Sequence, residues 1–194
     1  MTSRPITMDE YKLIIQTMYE GGLGFRPNPK IALLLQLEAS CGLRVSDSKN
    51  ICLNNIYKTS DNRYRLKIKE RKTGKHRDTF FFEDLYYKLS EYCIENGIKK
   101  DEPIFKITTR QVNKYLAAVV SYLDLGPDIG THSFRKLFST ELARLTDLHT
   151  VSIALNHSNI NTTVRYIAKN PNVDAALEEC GSKLLNIEVK NKWP

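Results

Sequence analysis

The chain has 194 residues, 41% of them apolar, and a formal net charge of +7, with a pI near 9.2. It is long enough to bury a core as one domain, or as one domain plus an extension, and its charge suits a polyanionic partner. No apolar run reaches the length of a membrane span, no apolar signal region follows Met1-Thr2-Ser3-Arg4-Pro5, and Cys41, Cys52, Cys93 and Cys180 are scattered without a CxxC pair; these features argue against a membrane protein, a secretory leader, a zinc module and a disulfide scaffold, and predict a cytoplasmic protein with core thiols.

Thr7-Met8-Asp9-Glu10 reads as a capping box, and Tyr11, Ile14, Ile15 and Met18 continue at helical spacing to Gly21-Gly22. Asn28-Pro29 supplies an N-cap and a first-turn proline to a second helix. Its nearly all-apolar stretch from Ile31 to Cys41 predicts a central, buried position and an end at Gly42. Arg44 emerges just past that end, with Asp47 three residues later as a candidate to orient its guanidinium; a purely structural Arg–Asp pair would look the same.

The period then changes. Residues 51–58, 63–70 and 77–82 are β-rich, separated by turn signals at Asp61-Asn62 and Lys72-Thr73-Gly74-Lys75, which predicts a three-stranded antiparallel sheet. Basic and apolar residues alternate from Arg63 to Lys69, so one face packs while the other presents charge to solvent or phosphate. Lys67, Lys69 and Lys75 are the candidates for contacts to the phosphates of a polyanionic partner. Lys72 and Lys75 compete for a catalytic role at the hairpin tip, against the plainer reading of a basic turn.

Further helices are expected at 83–96 and after Thr108-Thr109-Arg110-Gln111, a second capping box. Thr131 is the expected cap of a helix running to about Leu145, with His132 and Arg135 on one face of its electropositive first turn. Asp147 to Leu155 reads as another helix. Asn161-Thr162-Thr163 starts a short one carrying Tyr166, and Asn170-Pro171 separates a last segment from Val173 to Ile187.

Two arginines, a lysine, two histidines and a tyrosine form a set suited to a pentacoordinate phosphate, provided the fold gathers them. Their order resembles the catalytic domain of the tyrosine recombinases, the phage and transposon integrase family, over residues 7–169. In that resemblance Arg44 in GLRVSD is the first arginine and Lys72 in KTGK the hairpin lysine. His132 and Arg135 form the HxxR pair, His157 in LNHSN is the second histidine and Tyr166 the nucleophile. Asn156 departs from the glycine usual before that histidine, and asparagine tolerates the left-handed backbone glycine would serve.

The resemblance implies an α+β, mainly α-helical fold, that of the DNA breaking-rejoining enzymes, with a small three-stranded antiparallel sheet. Residues 1–171 would form the catalytic domain and 172–194 a helical tail docking in trans. The implied activity is site-specific DNA recombination, integrating or excising a mobile element through a 3′-phosphotyrosine. The implied partner is double-stranded DNA bound by a homotetramer, with no membrane partner. No cofactor or divalent metal is implied, because the arginines and lysine supply the positive charge. The family's N-terminal core-binding domain has no counterpart here, as expected of a fragment of a longer integrase. Type IB topoisomerase-like relaxation and a non-catalytic DNA-binding regulator are the alternatives.

Overall fold

The computed structural model describes residues 3–156 and 172–185. Helix α1 (Met8–Glu20) opens with the expected capping box: the Thr7 hydroxyl accepts the Glu10 N–H at 3.1 Å, and the Glu10 carboxylate accepts the Thr7 N–H at 2.7 Å. Helix α2 (Pro29–Cys41) starts where Asn28 Oδ1 accepts the Ile31 N–H, and every residue from Ile31 to Cys41 is buried. Its near-continuous apolar surface is covered on several sides, by α1, by the short α3 (Val45–Ser48) and by elements from the second half of the chain.

Strands β1 (Ile56–Lys58), β2 (Tyr64–Lys69) and β3 (His76–Phe81) form the expected antiparallel sheet in the order β1-β2-β3. Leu66 lies opposite Ile56 on one side and Thr79 on the other. The first strand is shorter than its sequence suggests. Residues Leu53–Asn55 form a 3-10 turn, and the Ile51 carbonyl accepts the Ile104 N–H while the Asn54 N–H donates to the Lys100 carbonyl. The backbone before Ile56 is thus paired with the linker after the next helix, α4 (Glu83–Glu95), rather than with the sheet.

Helix α5 (Thr109–Tyr122) carries the second capping box, Thr108 with Gln111. Helix α6 (Thr131–Leu145) begins one residue earlier than expected: Gly130 is its N-cap, its N–H donates to Ser133 Oγ, and Thr131 is buried in the first turn. Helix α7 (Leu148–Ala154) is capped by Asp147, whose Oδ1 accepts the Thr150 N–H. Helix α8 (Asn172–Leu185) lies on α2, α6 and β3 of the same chain, burying Leu177, Cys180, Leu184 and Leu185. The approach is close because Gly181 faces the Phe82 ring; a Cβ there would stand 1.7 Å from Phe82 Cζ. Among the described residues, no helix is long and apolar enough to cross a membrane.

Candidate active site

The site is built around the C-terminal end of α2. A helix end leaves backbone carbonyls without intrahelical partners, and the helix dipole makes that end attractive to cations. Here two guanidiniums occupy it. Arg135, from the first turn of α6, donates to the Gly42 carbonyl at 2.5 Å and, through its other terminal nitrogen, to the Leu155 carbonyl at 2.9 Å. Arg77, from β3, donates to the Cys41 carbonyl at 2.5 Å and to the Gly42 carbonyl at 3.3 Å. Arg135 thereby ties α6 to the end of α2 and to the end of α7. Its burial, with Arg44 and Arg77 nearby, pushes it down to about 10, so it remains charged at neutral pH.

Gly42 makes the chain reversal possible at φ +58°, and the next two residues bring Arg44 to the start of α3. The Arg44 side chain is largely buried, and its Nη1 donates to Glu70 Oε2 at 2.9 Å, whereas Asp47 Oδ2 stands at 3.9 Å. Glu70, not Asp47, therefore holds this guanidinium. Asp47 is turned to the hairpin, where its Oδ1 accepts the Arg71 N–H at 2.9 Å.

Lys72 is exposed on the turn between β2 and β3, and Lys75 is half-buried just beyond Gly74, which takes φ +68°. Lys67 and Lys69 are exposed on one face of β2, opposite Asp78 and His76 of β3. That face is less bare than its alternation suggests, because Arg65 on it pairs with Asp78 at 2.7 Å and with Asp174 at 3.1 Å. Asn156 adopts φ +55°, the left-handed backbone expected of it. His157 and Tyr166 lie outside the described residues.

His132 lies in the first turn of α6, three residues before Arg135. Partial desolvation, followed by Arg135, Lys72, Arg44 and Lys136, holds its imidazole below the ordinary value of 6.5. It is therefore neutral, with a free nitrogen lone pair, at physiological pH. Below its own pKa the ring gains a proton, so its basic form persists to more acidic pH than that of a free histidine. NMR titration of the free protein, with the resonance assigned by His132→Gln, is expected to show a midpoint below 6.5. Lys72→Ala and Arg44→Ala are each expected to move it upward by relieving like-charge repulsion. An unmoved midpoint in both variants would show that these cations do not face His132.

Three charged side chains of this site are absent from the motif set: Arg77, Glu70 and Glu38. Glu70 is 1% exposed; burial alone would raise its pKa, but Thr73, Arg44 and Arg77 outweigh it and hold the carboxyl below its usual range. Glu38, in α2, is fully buried, and burial pushes its carboxyl well above the usual range despite the opposing Arg135 charge. Among the described residues, no group of three His, Cys, Asp or Glu side chains is placed to hold a metal ion.

The profile of the phage integrase family matches residues 4–172. The chain belongs to that family. A comparison with curated proteins gave no match. Among solved structures, the XerH site-specific recombinase bound to its difH substrate is 18% identical, with a TM-score of 0.65 over 87% of this chain and 53% of that one. The catalytic domain of bacteriophage HP1 integrase is 17% identical, with a TM-score of 0.60 over 90% of this chain and 94% of that one. The lambda integrase catalytic core is 19% identical, with a TM-score of 0.59 over 82% and 94%. At these identities the likeness is one of fold, and the fold is that of the integrase catalytic domains. The family member here spans about half, 53%, of the XerH chain.

Proposed function

We propose that this chain is the catalytic part of a site-specific recombinase that cleaves and rejoins double-stranded DNA, moving a mobile element by integration or excision. The observation that carries this reading is that distant parts of the sequence meet at one place: Arg135 is seated on the Gly42 carbonyl two residues before Arg44, and Glu70 bonds both Arg44 and Thr73, the neighbour of Lys72. Family membership and the DNA-bound state of the XerH recombinase support the choice of DNA as partner.

In the proposed reaction the Tyr166 hydroxyl attacks a DNA phosphorus. The new P–O bond to tyrosine forms as the bond to the 5′-oxygen breaks, leaving a 3′-phosphotyrosine. Neutral His132 accepts the phenolic proton, since a phenol of pKa near 10 is mostly unionised at physiological pH. Arg44 and Arg135, with His157, donate to the non-bridging oxygens as negative charge develops there. The Lys72 ammonium protonates the departing 5′-oxygen, a role favoured over Lys75 because Lys72 is exposed on the turn whereas Lys75 is half-buried beyond it. Attack by the 5′-hydroxyl of another strand reverses these steps and conserves the bond energy. Lys67, Lys69 and Lys75 are assigned to flanking phosphates, and the working assembly is a homotetramer on paired sites.

Nicked suicide duplexes test this directly. Wild-type protein is expected to give a covalent DNA adduct on a denaturing gel, mapped by mass spectrometry to the Tyr166 peptide, and Tyr166→Phe to give none. DNA binding without an adduct from the wild type would remove the strand-cleavage reading and favour a binding protein.

A further inference from the structure

We propose that Glu70 is a positioning residue that fixes the Lys72-bearing turn to Arg44, so that one buried carboxylate sets both the proton donor and a clamp on the phosphate. The inference rests on the recombinase reading and deepens it. Glu70 follows β2 in the inward phase of Tyr64, Leu66 and Ile68, which brings its side chain under the turn instead of into solvent. A single oxygen, Oε2, accepts from Arg44 Nη1 at 2.9 Å and from Thr73 Oγ1 at 2.8 Å. The backbone of the same residue closes the turn: its N–H donates to the Lys75 carbonyl, and its carbonyl accepts the Gly74 N–H.

Lys72 stands inside that loop, between Glu70 and Thr73. The turn sequence Arg71-Lys72-Thr73-Gly74-Lys75 offers no apolar side chain to anchor it. Its geometry therefore depends on polar ties, those to Glu70 and the Asp47 strut on the Arg71 N–H. A lysine ammonium on a flexible four-carbon stem serves as a proton donor only if its base is held, because misplacement of about 1 Å is enough to cost a large part of the rate. The shared oxygen makes Arg44 and the Lys72 turn move as one unit.

The test compares single-turnover cleavage of duplexes carrying the ordinary 5′-oxygen or a 5′-bridging sulfur at the scissile phosphate. A thiolate departs without taking a proton, so sulfur removes the need for Lys72 but not for the phosphate clamp. Lys72→Ala is the reference for a large sulfur-to-oxygen rate ratio, and Arg44→Ala for loss on both substrates. Thr73→Val cuts the tie to the turn while leaving the Arg44–Glu70 pair; it is expected to slow the oxygen substrate by about tenfold or more and to be restored by sulfur. Glu70→Gln is expected to lose more, with a ratio still about tenfold above wild type. Should Glu70→Gln unfold in a thermal melt, Thr73→Val alone decides. Wild-type ratios in the folded variants would overturn the inference and leave Glu70 a partner of Arg44 only. Absence of adduct from the wild type on either substrate would instead overturn the recombinase reading, and the inference with it.

Discussion

Arg135→Ala is expected to lower the single-turnover rate of adduct formation by about a hundredfold to a thousandfold, the scale for losing a preorganised donor to a developing oxyanion. In the structure the same side chain also carries two backbone carbonyls, Gly42 and Leu155, from different helices. Hydrogen bonds from a charged donor contribute about 1.5–3 kcal/mol each, so truncation should lower stability as well, and a rate measured on Arg135→Ala alone would mix the two effects. Arg135→Lys separates them. Lysine keeps the charge but not the planar fork, so it cannot span both carbonyls and still present a donor pair to phosphate. It should retain most of the melting temperature and most DNA affinity while remaining at least about a hundredfold slow in cleavage. Cleavage by Arg135→Lys at the wild-type rate would show that charge alone is required there.

What the sequence made legible was mostly local. The Thr7–Glu10 and Thr108–Gln111 boxes need only four residues and form as expected, and the turns at Asn62 and Gly74 take the positive φ their residue types favour. Expectations failed where a distant segment intervened. Ile51 looks like a strand residue, but its carbonyl is taken by Ile104, and Thr131 looks like a cap but is buried, so Gly130 and Ser133 close the helix instead. The same division runs through the site. Arg44, His132 and Arg135 are recognisable from short ordered motifs, whereas Glu70, Arg77 and Glu38 matter through partners far along the chain. A signal was nevertheless present: Glu70 continues the inward phase of β2, Arg77 shares the inward phase of Thr79 and Phe81 in β3, and Glu38 interrupts an apolar helix. A charge in a core-facing register must find a partner or be neutralised: Glu70 has Arg44, Arg77 has the carbonyls of Cys41 and Gly42, and Glu38, whose oxygens have no hydrogen-bond partner among the described residues, is pushed by burial towards its neutral form.

Gly42→Ala is expected to be among the most damaging single-methyl additions in the chain. The residue sits at φ +58°, where an L side chain strains the backbone, and an added Cβ would meet Phe138 Cδ1 at 2.4 Å. Left-handed strain and overpacking together predict a loss of roughly 2–5 kcal/mol, or roughly 5–15 °C in melting temperature for a domain of this size. The two causes are separable. Pairing Gly42→Ala with Phe138→Ala removes the clash but not the strain, so the double variant should lose less than the two single variants added together. Full additivity would place the whole cost in the backbone. Either way, the carbonyl that Arg135 and Arg77 both hold belongs to Gly42 itself. Any adjustment that admits the methyl shifts the seat of Arg135, so cleavage by the folded fraction should fall along with stability. A variant that melts early but, once folded, cleaves at the wild-type rate would show that Arg135 is placed by α6 and α7 without help from the end of α2.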